Sequence, residues 1–153
     1  MQDPDLNLLI TAAKKAGELA KNYDFRKLKV SEKEGGAGPV TEADIEIDRM
    51  LFKYLTSARP DYGWLCEEST SDIPHYEKNC AFVIDPIDGT RDFIKGGNNW
   101  SHSFSVVKNG KVSAAVVYVP KQDLLFSAYL GGGSWLNGER PVSYTHLTLP
   151  TIE

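Results

Sequence analysis

Two segments of the chain carry apolar residues at the three- to four-residue spacing of an amphipathic helix. The first begins at Asp3-Pro4, where proline takes the first helical position, and runs to about Tyr23. The second begins at Thr41-Glu42-Ala43-Asp44, which has the form of a capping box. Its apolar stripe continues to Ala58, so the pattern predicts two helices that each bury one face.

Elsewhere the apolar residues come in short runs bounded by turn residues, which is typical of strands. These runs are 64–66, 81–84, 103–107, 112–119 and 124–130. Asn109-Gly110 lies between two of them and is a strong signal for a two-residue hairpin. The runs predict an antiparallel meander, and the chain is therefore expected to be α+β, with two helices packed on an antiparallel sheet.

Two polar stretches are predicted as loops. The glycine-rich stretch 34–38 is expected to be mobile, and it matches neither glycine spacing that binds nucleotides. The stretch 70–78 contains His75, which we expect to be an exposed loop residue because no second His or Cys stands at zinc-site spacing.

Composition narrows the class of protein. A chain of 153 residues with 41% hydrophobic and 25% charged residues is typical of one globular domain. Its net charge of −4 disfavours binding to the phosphate backbone of a nucleic acid polymer. No apolar run approaches the ~20 residues of a membrane span, and Asp3 and Asp5 stand where the basic region of a signal peptide would lie. Cys66 and Cys80 favour two reduced thiols in a cytoplasmic protein.

The segment 85–90, Asp-Pro-Ile-Asp-Gly-Thr, is the strongest candidate for chemistry. A buried strand leads into the carboxylates of Asp85 and Asp88, and Gly89 permits a sharp turn after them. Thr90 is predicted to cap a short helix. Carboxylate oxygens suit Mg²⁺, and the N–H groups of a helix start suit a phosphate, so one segment is able to hold both. On spacing alone, an ordinary turn with solvated aspartates stays the alternative.

This segment resembles the signature of the inositol monophosphatase superfamily of Mg²⁺-dependent, lithium-sensitive phosphatases. Two further segments match in family order. Residues 64–69 resemble the family's Gly-Glu-Glu-Ser element, and residues 39–44 resemble its Val-Thr-x-x-Asp helix start. The resemblance runs to about Pro141 and implies the N-terminal half of a layered αβαβα fold, with helices on a six-stranded antiparallel sheet.

The resemblance also implies a role for each matching residue. Two or three Mg²⁺ ions would be held by three carboxylates and one backbone carbonyl, those of Glu67, Asp85, Asp88 and Ile87. Thr90 and Asp44 would orient and deprotonate the attacking water, and Glu67 would act in catalysis through the ion it holds. The backbone of Gly89 and Thr90 would bind the substrate phosphate, while the loop 34–38 would fold over the site and help bring a third ion. Without the resemblance, Asp44 would simply complement the dipole of its helix.

The implied reaction is metal-assisted hydrolysis of a small phosphate monoester. Arg91-Asp92-Phe93-Ile94 resembles the Lys-Glu-Phe-Ile form of bacterial 3′(2′),5′-bisphosphate nucleotidases, which favours adenosine 3′,5′-bisphosphate as substrate. Inositol 1-phosphate and histidinol phosphate stay open, as does a non-catalytic fragment that binds Mg²⁺ weakly. The oligomeric state is open too, with a homodimer among the alternatives.

The C-terminal end departs from the family pattern. The family's Trp-Asp-x-Ala-Ala-Gly-like motif, which supplies a further metal-binding aspartate, does not occur in the sequence. Residues 143–153 resemble a translated cloning adapter, so we assign residues 1–142 to the metal-binding portion and exclude the tail, with His146, from the site. We therefore expect this chain alone to show no more than trace phosphatase activity.

Overall fold

The computed structural model describes residues 3–69 and 78–141. Its helices and strands, in chain order, are α1 (Pro4–Lys21), β1 (Val30–Glu32), β2 (Pro39–Thr41), α2 (Glu42–Ala58), β3 (Gly63–Cys66), β4 (Cys80–Asp88), α3 (Thr90–Ile94), β5 (Ser101–Lys108), β6 (Lys111–Val119), β7 (Leu124–Tyr129) and β8 (Gly133–Leu136). Two single 3₁₀ turns, Phe25–Lys27 and Glu34–Gly36, lie before β1 and between β1 and β2.

Both long helices begin where the sequence predicts. The Asp3 side chain accepts the backbone N–H of Asp5 at 2.9 Å and of Leu6 at 3.0 Å, which satisfies donors that have no partner inside α1. At the start of α2, the Asp44 carboxylate accepts the N–H of Thr41 at 2.8 Å, and the Thr41 hydroxyl accepts the N–H of Asp44 at 3.3 Å. The predicted capping box is therefore confirmed.

Six strands form one sheet in the order β3-β4-β5-β6-β7-β8. The α+β class is confirmed, and the pairs from β4 to β8 are antiparallel as predicted. The pair β3-β4 is parallel instead, so the prediction of a wholly antiparallel sheet is wrong at this edge. The segment 67–79 between these strands is long enough for the crossover connection that a parallel pair needs.

The stretch 34–38 is part of a small hairpin rather than a loop without structure. Strands β1 and β2 pair antiparallel on either side of it, with Val30 opposite Thr41 and Glu32 opposite Pro39. All three residues of β1 are exposed, so the apolar pattern gave no signal for this strand. The hairpin leads directly into α2 and carries Lys33 towards the edge of the large sheet.

One face of the large sheet packs against the helices and forms the core. Alternate residues of each strand point to this face, among them Trp64, Phe82, Phe104 and Val116, and all four are at most 1% exposed. The opposite face keeps apolar side chains partly open to solvent, with Leu65 40% exposed and residues 117 and 126 similarly exposed. Helices thus cover only one side of the described sheet.

Strand β4 runs further than the sequence predicts. The run 81–84 marks its buried part, but the strand continues to Asp88 through Pro86, because the pairing with β5 resumes after an irregularity between Asp85 and Asp88. The hairpin at Asn109-Gly110 is confirmed, with φ of 50° and 75° at the two turn residues. No helix in the described part of the chain is long and apolar enough to cross a membrane. The predictions for residues 70–77, with His75, and for the tail 143–153 lie outside the described residues.

Candidate metal centre

The end of β4 is shaped by a bulge. Asp85 lies opposite Ser103 and Asp88 lies opposite Ser101, so two residues of β4 face a single residue of β5. Gly89 follows with φ of 89°, and a Cβ there would lie 3.0 Å from the backbone oxygen of Asn99. This position therefore needs glycine, both for its left-handed backbone and for its close approach to the next loop.

The parallel pair β3-β4 brings a third carboxylate to the same edge. Cys66 lies opposite Ile84, and the backbone N–H of Glu67 donates to the Ile84 carbonyl at 3.1 Å. Since parallel strands end at the same edge of a sheet, Glu67 follows β3 at the level where Asp85 follows Ile84. The side chains of Glu67, Asp85 and Asp88 then line one cleft of about 270 Å³, which also contains Thr90.

A lysine that the sequence did not single out enters this cleft. Lys33 Nζ lies 2.7 Å from Glu67 Oε1 and 2.7 Å from Glu68 Oε1, and the Glu68 side chain is only 3% exposed. Despite the desolvation cost, these two carboxylates raise the pKa of Lys33, so it stays charged. A cationic group thus already lies against the acidic residues.

The carboxylates of this edge have unequal proton affinities. Burial and the neighbouring charge of Glu67 raise the pKa of Asp85 to about 7, with smaller contributions from Asp88 and Glu68. The hydrogen bond from Lys33 lowers the pKa of Glu67. A like charge close to a half-buried carboxylate favours its protonated form, and a cation would remove that penalty.

The donor set fits a hard divalent cation. Asp85 Oδ1 is buried and has no hydrogen-bond partner among the described residues, a position that a cation would satisfy. Carboxylate and carbonyl oxygens are the ligands that Mg²⁺ prefers. As the described side chains stand, no three acidic, His or Cys residues converge into a ready-made metal cluster, and the Glu67 carboxylate is turned towards Lys33. Metal binding would therefore require Glu67 to exchange its lysine partner for the ion.

Thr90 lies between the bulge and the start of α2. Its Oγ1 is 3.0 Å from the Ile87 carbonyl oxygen and 3.4 Å from Asp44 Oδ1, and Asp44 is fully buried. Burial raises the pKa of Asp44, while its bonds from Thr41 act in the opposite direction. Thr90 and Asp44 are thus in contact across 46 residues of sequence.

The prediction that Thr90 caps the short helix is wrong. Gly89, which has no side chain to cap with, is the N-cap of α3, and Thr90 is the first residue of the helix. The Thr90 hydroxyl points back to the bulge instead, because the left-handed Gly89 turns the chain sharply before the helix. Cys66 is buried and burial raises the pKa of its thiol, in agreement with a core residue rather than a nucleophile.

Comparison with known proteins shows the family of the chain. A family model described as the inositol monophosphatase family matches residues 1–151. The chain belongs to this family. Among relatives, it is 36% identical to an inositol-1-monophosphatase of Rhizobium meliloti over 137 residues, covering 88% of this chain and 51% of that protein. It is 35% identical to the Nus factor SuhB of Escherichia coli over 138 residues, covering 90% and 51% of the two chains.

Solved structures of the inositol monophosphatase family share the fold. The IMPase of Thermotoga maritima superposes with a TM-score of 0.84 at 33% identity, over 94% of this chain and 55% of that one. The SuhB protein of Bartonella henselae gives a TM-score of 0.83 at 36% identity, over 90% and 54%. The chain therefore spans about half the length of the relatives it matches.

Two residues of this site escaped the sequence analysis. Lys33 stands in an exposed stretch whose contacts depend on the β1-β2 hairpin, and nothing in the sequence indicates its partners. His102 stands at an inward position of β5, between Trp100 and Phe104, where the alternating pattern expects an apolar side chain. A histidine at an inward position of a strand is visible in the sequence, and this signal could have identified His102.

Proposed function

We propose that the protein to which this chain belongs is a Mg²⁺-dependent phosphatase of small phosphorylated metabolites. The observation that carries the proposal is the buried Asp85 Oδ1, which has no hydrogen-bond partner among the described residues and belongs to a residue that lines one cleft with Glu67, Asp88 and Thr90. The relatives named inositol-1-monophosphatase support a phosphate monoester as substrate.

The proposed metal ligands are three carboxylates and one carbonyl, those of Glu67, Asp85, Asp88 and Ile87, for two or three ions. When bound, Mg²⁺ would lower the pKa of water and stabilise the leaving oxygen. Glu67 would act in catalysis by holding the ion nearest the attacking water. The ammonium of Lys33 would move away from Glu67 and towards the anionic substrate.

Thr90 and Asp44 would handle the proton of the attacking water. The Thr90 hydroxyl would accept a hydrogen bond from the water while it donates its own proton to Asp44 Oδ1, which lies 3.4 Å away. Its alternative acceptor, the Ile87 carbonyl, would be engaged by the ion. Because Asp44 is buried and held by Thr41, this acceptor is fixed before substrate arrives.

The backbone at the start of α3 would bind the substrate phosphate. Gly89 and Thr90 both line the same cleft. Their N–H groups come before the first hydrogen bond of the turn, which runs from the N–H of Asp92 to the Gly89 carbonyl at 2.8 Å. Such early N–H groups have no partner inside a helix and are suited to anionic oxygens.

Two substrates are proposed, each supported by a different observation. Relatives named inositol-1-monophosphatase favour inositol 1-phosphate, whereas the Arg91-Asp92-Phe93-Ile94 segment favours adenosine 3′,5′-bisphosphate. Arg91 is exposed and lines the cleft beside Thr90, where its guanidinium would offer a partner for a second phosphate. The position of Arg91 in this cleft is the observation that favours the nucleotidase reaction.

Phosphate release from the natural full-length protein tests this proposal. The substrates are inositol 1-phosphate, adenosine 3′,5′-bisphosphate and histidinol phosphate, each with Mg²⁺ and with excess chelator. We expect release only with Mg²⁺, a loss of at least about 100-fold for Asp85→Asn, and a larger fall in kcat than change in KM for Thr90→Ala. A preference for the bisphosphate that Arg91→Thr removes would support the nucleotidase. Release that is unaffected by chelator or by Asp85→Asn would contradict the proposal.

A further inference from the structure

A histidine lies directly beneath the bulge of β4. His102 is 0% exposed and stands on the core face of β5, where its neighbours Trp100 and Phe104 are apolar. In the register of the two strands, Ser101 pairs with Asp88 and Ser103 pairs with Asp85. His102 is therefore the single residue that faces Pro86 and Ile87, the two residues of the bulge.

Among the residues that the structure describes, the ring of His102 makes one polar contact, and that contact is with the bulge. Nδ1 lies 2.5 Å from the carbonyl oxygen of Pro86. A carbonyl oxygen only accepts, so Nδ1 carries the proton and donates it. The bulge takes Pro86 out of the ladder of hydrogen bonds, and its carbonyl is buried, so the histidine supplies the donor that the strand lacks.

The other ring nitrogen has no such use. Nε2 is buried and has no hydrogen-bond partner among the residues that the structure describes. Aromatic rings surround the imidazole, with centroid distances of 5.6 Å to Trp100, 6.0 Å to Phe104 and 6.4 Å to Tyr118. Burial lowers the pKa of His102 to about 4, in keeping with a neutral ring. A polar ring in an apolar layer is costly, and the hydrogen bond to Pro86 offsets part of that cost.

We propose that His102 is a positioning residue: its Nδ1–H holds the Pro86 carbonyl and thereby fixes the bulge that presents Asp85, Ile87 and Asp88 to the metal. The inference rests on the proposed function for the identity of the ligand, and on the His102–Pro86 contact for the geometry.

The link from Pro86 to the metal ligands is short. The Pro86 carbonyl and the Ile87 nitrogen belong to one planar peptide, so a bond to that carbonyl fixes the plane from which Ile87 continues. The next carbonyl, that of Ile87, accepts the Thr90 hydroxyl at 3.0 Å. Without the histidine donor, the peptide plane between Pro86 and Ile87 would be free to rotate, and the following plane would shift with it. That shift would displace the Ile87 carbonyl, which is a proposed metal ligand, and would change the orientation of Thr90.

Three variants separate positioning from packing. His102→Asn keeps an N–H at the position of Nδ1, and His102→Leu removes the donor at similar volume. Phe104→Leu is the matched control, since this residue is equally buried on the same face of β5 but lies opposite Ile84, outside the bulge. Mn²⁺ binding to the purified chain is measured by calorimetry, beside urea unfolding of each variant.

We expect His102→Leu to weaken Mn²⁺ binding by about tenfold or more, as for one lost buried hydrogen bond, and His102→Asn to bind within about threefold of the original chain. Phe104→Leu is expected to lose stability but to keep its Mn²⁺ affinity. The proposal is overturned if His102→Leu binds Mn²⁺ like the original chain, or if His102→Asn and His102→Leu lose the same affinity.

A second measurement tests the positioning role of His102 independently of metal binding. Amide hydrogen exchange in metal-free protein is followed in all variants at Asp92 and Phe93, whose N–H groups donate to the carbonyl of Gly89 directly after the bulge. If the original chain binds no Mn²⁺, the proposed function fails, but the positioning role still predicts faster exchange at these amides in His102→Leu and restored protection in His102→Asn. Equal exchange in His102→Leu and the original chain would refute the positioning role itself.

Discussion

Two substitutions of Asp44 distinguish what its hydrogen bonds contribute to the stability of the fold from what its charge contributes. It is fully buried, and its Oδ2 accepts the Thr41 backbone N–H at 2.8 Å and the Thr41 hydroxyl at 2.5 Å. Its Oδ1 faces the hydroxyl of Thr90. The two variants Asp44→Ala and Asp44→Asn change these contacts differently.

The alanine variant leaves two donors of Thr41 without their acceptor. A lost cap interaction costs ~0.5–2 kcal/mol and an orphaned buried donor costs ~1–3 kcal/mol, so we expect a total loss of about 2–4 kcal/mol in the free energy of unfolding. The asparagine variant keeps an oxygen towards Thr41, loses the charge and places an NH₂ group against Thr90, whose hydroxyl would then accept instead of donate. Interaction with the helix dipole is worth ~0.3–1 kcal/mol, and burial of the charge already opposes ionisation of Asp44, so we expect a loss below about 1 kcal/mol.

Urea unfolding of the two variants and the original chain, followed by circular dichroism, measures this difference. Equal losses for alanine and asparagine would refute the reasoning, because they would assign the stabilisation to charge rather than to hydrogen bonds. In the full-length protein, Asp44→Asn is further expected to lower kcat despite its near-normal stability. An amide cannot take the proton that Thr90 is proposed to pass on.

Four further results are expected. Because the pKa of Asp85 is about 7, Mn²⁺ affinity should rise about tenfold per pH unit below 7 and level off above, and a flat calorimetric profile would contradict this. Because folding raises the pKa of Asp85, the folded state is stabilised while this carboxyl is protonated. The metal-free chain should therefore lose stability as the pH rises from the pKa of Asp85 in the unfolded chain towards 7. Lys33→Met should tighten Mn²⁺ binding by freeing Glu67, and unchanged or weaker binding would argue against competition. Gly89→Ala should lower Tm by several degrees, since its Cβ would meet Asn99, whereas Gly110→Ala keeps a positive φ in open space and serves as control.

Local signals in the sequence predicted most of the fold correctly. The capping box of Thr41 and Asp44 and the turn at Asn109-Gly110 need only neighbouring residues, and both formed as expected. The direction of β3 relative to β4 was missed, because a parallel pairing is decided by a crossover connection and by packing on the whole sheet. The exposed strand β1 was missed because it carries no apolar alternation.

The residues of the candidate site that come directly after a predicted strand could be predicted from the sequence. Asp85 and Glu67 were identified from their positions after apolar runs and from the family resemblance, and the structure lines one cleft with both. Lys33 could not be predicted, since its contact with Glu67 joins residues 34 positions apart through a hairpin without an apolar pattern. The bulge and its histidine depend on a register between β4 and β5 that no local motif specifies.

The edge of the sheet formed by Glu67, Asp85 and Asp88 is proposed to bind a divalent cation. Paramagnetic broadening by Mn²⁺ in amide NMR spectra of this chain tests it residue by residue. We expect substoichiometric Mn²⁺ to broaden first the amides of Glu67, Asp85 and residues 87–90, and Asp85→Asn to abolish this pattern. Broadening that spreads over the surface carboxylates, or that persists unchanged in Asp85→Asn, would contradict the account.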